Sequence, residues 1–238
     1  MTDIRGLLFD KDGTLFDFMA TWGQWTASLL DDLAAGSADL AGTLGQAVGY
    51  DRARGVFAPD SPVIAHTPAE IADALLPHLP GSSPMALVAR MNALSAAADQ
   101  VEAVPLVPLF RQFREMGLKI GLVTNDSEEP ARAHLTRAGV TALFDYIAGS
   151  DSGHGAKPAP GPLLAFATRF GLEPAQVLMV GDSRHDLVAG RAAGMRTAGV
   201  LTGLAGRDDL APLADVVLPD IGHLPLWIER QKAVLPTG

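Results

Sequence analysis

The chain has 238 residues, 48% hydrophobic and 19% charged, long enough for one large domain or two modest ones around a sizeable core. A formal net charge of −9 argues against nucleic acid or an anionic membrane as the main partner. The absence of cysteine removes disulfides, thiol nucleophiles and thiolate metal sites. The only apolar run near the N-terminus is interrupted by Lys11 and Asp12, so no signal peptide is expected. No 18-residue apolar stretch exists, so no membrane span is expected and a cytoplasmic location follows.

Residues 4–10 read as a short buried strand that runs into Asp10-Lys11-Asp12-Gly13-Thr14. Two carboxylates two residues apart at a strand end could hold a hard cation, attack an electrophile or move a proton. An Asp-Gly turn closing an exposed hairpin is the ordinary structural alternative. Phe18, Trp22, Trp25, Leu29 and Leu33 then recur at helical steps, a stripe read as core rather than as an aromatic binding box. Thr67-Pro68-Ala69-Glu70 is a capping box with proline at the first helical position, and it opens a helix that Pro77 stops. Ser83-Pro84 opens another helix, carrying Met85, Val88, Met91 and Leu94. Between 16 and about 100 the pattern is helical with no convincing strand.

After Pro105 strands and helices alternate. Helices are expected near 108–116, 128–138, 160–170 and 185–193, each followed by glycine (Gly117, Gly139, Gly171, Gly194) as a C-terminal stop. Strands are expected at 118–123, 144–148, 177–180, 197–201 and 215–218. Alternation of this kind implies βαβ units and a parallel sheet. The reading is an α/β, Rossmann-like doubly wound core from 1–15 and 101–238, with a helical insert over 16–100.

Four of the expected strand ends carry polar groups: Asp10/Asp12, Thr124-Asn125-Asp126, Lys157, and Asp182-Ser183-Arg184-His185-Asp186. Parallel strands present their carboxyl ends to one edge, so groups far apart in sequence can converge there. Each has an ordinary explanation. Thr124-Asn125 could cap the next helix, Lys157 could be a solvated loop lysine, Asp182 or Ser183 could be an N-cap, and Asp186 a first-turn helix acid. The case rests on all four occurring together. Carboxylates and hydroxyl or amide oxygens suit Mg²⁺, and a lysine, a hydroxyl and an amide can hold phosphoryl oxygens. Metal, cationic clamp and carboxylate nucleophile are the parts that phosphoryl transfer uses. An EF-hand fails because Leu8 and Met19 would stand at its first and last ligand positions, and no phosphate-loop, dinucleotide or His-Glu-x-x-His motif is present. The six histidines show no metal-ligand spacing, and His185 reads as a solvated helix-start residue.

Phe9-Asp10-Lys11-Asp12-Gly13-Thr14-Leu15, Val123-Thr124-Asn125, Lys157-Pro158 and Gly181-Asp182-Ser183-Arg184-His185-Asp186, in that order, resemble the four motifs of the haloacid dehalogenase superfamily, in particular its phosphoglycolate-phosphatase-like branch with a helical cap. The resemblance implies an α/β core of 1–15 and 101–238 and a cap domain of 16–100. It implies a Mg²⁺-dependent phosphatase acting on a small phosphorylated metabolite, with phosphoglycolate as the leading candidate. In that reading Asp10 is the nucleophile, Asp12 the acid and base, Thr124 and Asn125 the phosphoryl ligands, and Lys157 the charge-offsetting cation. Asp10, Asp182 and the backbone carbonyl of Asp12 hold the metal, with Asp186 supporting through its water shell. A phosphoglucomutase-like transferase on the same core, and a non-catalytic phospho-ligand-binding module, are the alternatives. A monomer or small homo-oligomer is expected. Two residues depart from the pattern. Lys11 stands where relatives carry an apolar residue, and strand alternation would turn it away from the Asp10/Asp12 face. Asp126 stands where some phosphoglycolate phosphatases have lysine. The sequence does not say which of Arg52, Arg54, His66 or Arg90 faces the site.

Overall fold

The structure, a computed structural model, describes residues 3–233. β1 (Gly6–Phe9) opens the chain and is wholly buried. A helical insert follows: α1 (Phe18–Ala34), α2 (Ala38–Ala47), a short hairpin of β2 (Tyr50–Asp51) and β3 (Val56–Phe57), α3 (Pro68–Leu75) and α4 (Pro84–Ala97). The alternating part then runs α5 (Leu106–Glu115), β4 (Lys119–Val123), α6 (Glu128–Arg137), β5 (Tyr146–Ala148), α7 (Gly161–Phe170), β6 (Val177–Gly181), α8 (Arg184–Ala192), β7 (Arg196–Val200), α9 (Arg207–Leu210), β8 (Val216–Leu218) and α10 (Leu224–Ala233).

Six parallel strands form one sheet in the order β5-β4-β1-β6-β7-β8. Leaving β1, the chain builds outward through β4 and β5, then crosses back to lay β6 against the other side of β1. The order therefore reverses at the β1/β6 boundary, where the connecting segments diverge and leave a crevice at the carboxyl edge. Alternation along β1 feeds both faces of the sheet. Leu7 and Phe9 pack with Leu106, Phe110 and Phe113 of α5, while Leu8 packs with Leu163 and Phe166 of α7. Gly121 permits that second layer to approach, because a Cβ there would lie 2.6 Å from Leu8 Cδ1 and 2.7 Å from Phe166 Cδ2.

The insert has its own hydrophobic cluster, centred on Phe18, Trp22, Trp25, Leu29, Leu44 and Leu75. Its two connections to the sheet run side by side: Asp17 N–H donates to Val101 O (2.8 Å) and Ala103 N–H to Leu15 O (2.9 Å). The expected capping box is present, with Glu70 N–H donating to Thr67 Oγ1 and the Glu70 carboxylate accepting from Thr67 N–H. The last carbonyls of α4 are capped by core helix α6, through Arg137 to Ala96 O (2.7 Å) and Ala98 O (2.8 Å).

Two sequence expectations need correction. The insert contains a hairpin, whose two-residue strands are too short to show alternation. Its turn is made by the Asp51 carboxylate accepting from Ala53 and Arg54 N–H. On α4 Met91 is buried and Val88 and Leu94 pack partly against the insert's core as expected, but Met85 is exposed, and Leu87 and Ser95 complete the buried face. Leu87 and Met91 pack into the insert's own core and Ser95 meets Asp126 and His134, partners of which local periodicity carries no record. Helix α10, beyond the last expected strand, adds Leu224 and Ile228 to the core cluster with β1 and β7. Among the described residues no helix is long and apolar enough to cross a membrane.

Candidate active site

The four polar strand ends converge at the β1/β6 crevice. Asp10 follows β1, Thr124 and Asn125 follow β4, Lys157 lies in the loop after β5, and Asp182 follows β6. Lys157 Nζ, buried, sits 2.6 Å from Asp10 Oδ1 and 2.6 Å from Asp186 Oδ1. The lysine is therefore no solvated loop residue. Asp10, Asp182 and Asp186 offer carboxylate oxygens that all lie within 4.8 Å of one another. Burial, offset by Lys157 and reinforced by Asp186 and Asp12, pushes Asp10 up from 3.8 to about 7. Burial, with the charges of Asp186 and Asp10, drives Asp182 well up as well. Burial opposes the charge on Lys157, but Asp10 and Asp186 outweigh it and hold its pKa above the ordinary lysine value. Three buried carboxylates against one buried ammonium leave a surplus of negative charge. An all-oxygen donor set of this kind suits a hard divalent cation.

The capping explanations are partly right. Ser183 caps α8: its hydroxyl accepts from Asp186 N–H, and Asp186 Oδ2 accepts from Ser183 N–H (3.0 Å). The same carboxylate's other oxygen meets Lys157, so Asp186 serves helix and site together. Thr124 and Asn125 do not cap α6, whose N-cap residue is Ser127. Thr124 Oγ1 accepts from Asp126 N–H (3.1 Å), which leaves its hydroxyl proton free to donate. The Asn125 carboxamide is committed to backbone. Its Nδ2 donates to Ala65 O (2.7 Å) and Lys157 O (2.8 Å), and its Oδ1 accepts from Lys157 N–H (2.9 Å). Asn125 thus braces the Lys157 loop and ties it to the insert.

Two glycines make room for Asp182. A Cβ on Gly13 (φ +75°) would lie 2.2 Å from Asp182 Oδ2, and one on Gly203 1.6 Å from the same atom. Thr202 Oγ1 donates to Gly13 O (2.6 Å) and joins the two loops. Gly203 and Thr202 carried no signal in the sequence, since a lone glycine in a polar loop looks like any turn.

Lys11 is the clearest correction. It does not point away from the site. It is fully buried, with Nζ 2.9 Å from Asp12 Oδ2, 3.1 Å from Asp126 Oδ2 and 2.9 Å from His134 Nδ1. Strand alternation does not apply because β1 ends at Phe9 and the chain turns at residues 10–13. Lys11 and Asp126, the two departures from the expected pattern, are each other's charge partners. Burial works against the Lys11 charge, yet Asp12 and Asp126 hold its pKa above the ordinary value. The network continues into the insert: Ser95 Oγ donates to Asp126 Oδ2 (3.2 Å), and His134 Nε2 meets Ser95 O at 2.7 Å. Since Lys11 can only donate, His134 carries its proton on Nε2.

Burial and the Lys11 charge push the His134 imidazole down from 6.5 to about 4. A lowered histidine favours the neutral form in the fold, so its contribution is complete above pH 6.5 and is lost as pH falls toward 4. The loss corresponds to about 3 kcal/mol. The raised Asp10 carboxyl changes stability in the opposite sense over the same range, so the loss is read as a difference: in urea unfolding the advantage of the parent over His134→Gln is expected to shrink by about 3 kcal/mol between pH 7 and pH 4. An unchanged advantage would assign the acid sensitivity elsewhere.

A cleft with about 630 Å³ of free space, part of it open to solvent, lies between the carboxyl edge and the insert. Of the cations left open by the sequence, Arg52 pairs with Asp31 and Arg90 with Asp32 on the exposed surface, and Arg54 is exposed. His66 does line the cleft, beside His185, with ring centroids 6.0 Å apart. His185 is therefore half-buried at the cleft rather than freely solvated, and burial lowers its pKa. Trp22 and Trp25 belong both to the insert's core and to the cleft wall, so the stripe read as core does both.

Residues 4–194 match the family model of haloacid dehalogenase-like hydrolases. The chain belongs to that family. It is 39% identical over 114 residues to a phosphoglycolate phosphatase of Neisseria gonorrhoeae (47% of this chain, 48% of that protein). It is 33% identical over 100 residues to the pyrophosphatase PpaX of Bacillus velezensis (42% and 46%). The matched segments span a little under half of each of these relatives. The fold matches that of a crystal structure described as a predicted phosphoglycolate phosphatase from Haemophilus somnus 129PT, with a TM-score of 0.73 and 19% identity, over 95% of this chain and 99% of that one.

Proposed function

We propose that this chain is a Mg²⁺-dependent phosphatase that hydrolyses a phosphate monoester of a small metabolite through an aspartyl-phosphate on Asp10. The observation that carries the proposal is the pairing of Lys157 with both Asp10 and Asp186 at the β1/β6 switch point, 2.6 Å from each and beside Asp182. Family membership and the similarity to phosphatases support it.

Asp10, Asp182 and the backbone carbonyl of Asp12 would hold the metal, with Asp186 behind them. Bound there, Mg²⁺ would offset the charge of the carboxylates and of the phosphoryl oxygens. Lys157, held by its two carboxylates and by Asn125, keeps a fixed positive charge next to Asp10. It can stabilise the equatorial phosphoryl oxygens with little reorganisation. The Thr124 hydroxyl donates to one of those oxygens. Asp10 attacks phosphorus, the bond from phosphorus to the ester oxygen breaks, and Asp12 gives its proton to the departing alkoxide. Asp12 then takes a proton from the water that attacks the aspartyl-phosphate, which regenerates Asp10 and releases phosphate. The bond from Lys11 Nζ fixes the Asp12 carboxylate by one oxygen, and Asp12 Oδ1 has no hydrogen-bond partner among the described residues. Residues 16–100 act as a cap domain that closes over the leaving group and excludes water.

Released phosphate should be measured on a panel of monoesters with Mg²⁺ and with EDTA. Release from at least one ester, at least about 100-fold faster with Mg²⁺, is expected, given how slowly such esters hydrolyse unaided. No Mg²⁺-dependent release from any ester would overturn the proposal.

A further inference from the structure

The insert's share of the cleft wall is unusual in charge. It presents Trp22, Trp25, Val63, Ile64, Ile71 and Met91, with His66, Asn92 and Ser95 as its polar members and no lysine or arginine among the described residues. The insert does contain arginines, but Arg52 and Arg90 are paired with Asp31 and Asp32 on the outer surface. On the core side Lys157 is taken by Asp10 and Asp186, and Lys11 by Asp12 and Asp126. Apart from the imidazoles of His66 and His185, which with Arg184 line an adjoining cavity, a leaving group carrying a carboxylate or a second phosphate would thus meet apolar wall and no lysine or arginine that is not already paired. It would also lie near Asp12 and Asp126. An unpaired charge buried that way is strongly disfavoured.

Trp22 Nε1, Trp25 Nε1 and Asn92 Oδ1 are buried atoms with no hydrogen-bond partner among the described residues. Trp22 and Trp25 are only 7% and 5% exposed. These atoms have essentially no accessible surface, so they lie behind the wall rather than being offered to the cleft. The two indoles pack edge-on with centroids 4.9 Å apart, giving a rigid aromatic wall.

We infer that the cleft takes a phosphate monoester whose alcohol is uncharged and mainly apolar, aromatic or branched, packed against the two indoles. The inference rests on the phosphatase reading of the same site. It turns the substrate away from phosphoglycolate, whose carboxylate would meet this wall.

The test compares phenyl phosphate, 4-carboxyphenyl phosphate and phosphoglycolate as substrates of the full chain with Mg²⁺. Phenyl phosphate is expected to exceed both carboxylated esters by at least about 100-fold in kcat/KM. Binding is read separately, by quenching of tryptophan fluorescence with the non-hydrolysable phenylphosphonate and 4-carboxyphenylphosphonate. The neutral phosphonate is expected to bind at least about 10-fold tighter. Ile64→Arg, which puts a cation in the wall, is expected to narrow both gaps about 10-fold. Equal or better turnover or binding of the carboxylated compounds by the parent chain would overturn the inference while leaving the phosphatase reading intact. No turnover of any ester, with the phosphonate preference retained, would overturn the phosphatase reading and leave the charge preference of the cleft standing.

Discussion

Asp10→Asn is expected to lower turnover by at least about 10⁴-fold, the scale of losing a covalent nucleophile, and at the same time to stabilise the metal-free protein. The first effect follows because an amide cannot form the aspartyl-phosphate. The second follows from the charge balance. Burial raises the Asp10 pKa from 3.8 to about 7, so the fold favours the protonated carboxyl. A raised acid contributes fully below pH 3.8, and its contribution is lost as pH rises through 7. At pH 8 in EDTA the parent therefore carries a charge the fold disfavours, and a neutral isostere of the same size does not. A gain on the order of 1–3 kcal/mol is expected, or roughly 3–10 °C in Tm, shrinking as pH falls toward 3.8. Thermal unfolding at pH 8 and pH 4, beside the rate assay, checks both. An active variant would mean that another group attacks phosphorus. A large fall in Tm would mean that the Asp10–Lys157 pair holds the fold more than burial opposes it.

Lys157→Met is expected to lose both activity and stability. Its ammonium is the only positive group within reach of Asp10 and Asp186 among the described residues, and it is buried. Removing one side of a buried ion cluster costs about 3–5 kcal/mol, because the remaining charges are left uncompensated. In a chain of this size that is roughly 6–20 °C in Tm. Mg²⁺ should restore part of the loss, because a bound cation supplies the missing charge and stabilises the folded state by mass action. The rise in Tm on adding Mg²⁺ is therefore expected to be larger in the variant than in the parent, while kcat stays low. An equal rise in both would place the metal away from Asp10 and Asp186. The contrast between the two substitutions is informative in itself: removing one carboxylate relaxes the site, and removing the lysine strains it.

The sequence by itself determined the parallel α/β core. Helices α5 to α8 are each followed by a glycine and the strands are short, mostly apolar runs, and these are local properties of backbone and side chain. It also determined the polar strand ends, because a parallel sheet places all carboxyl ends on one edge whatever the strand order. Asp10, Thr124, Lys157, Asp182 and Asp186 are brought together there, and strand order needed only to put β1 and β6 side by side.

Only the tertiary structure decided what surrounds them. Lys11 looked irrelevant under strand alternation, and its role as the partner of Asp12, Asp126 and His134 needed the turn after Phe9 and helix α6 to be packed in place. Asn125 offered three hydrogen-bonding groups. Which atoms took them depended on Ala65 and Lys157, 60 and 32 residues away. The room for Asp182 beside Gly203 is likewise a contact between distant loops. The direction of the insert's arginines was settled by surface partners, Asp31 and Asp32, that helical periodicity does not rank above the cleft. Periodicity records which residues share a face. It does not record what that face meets, and the chemistry of this cleft lies in that meeting.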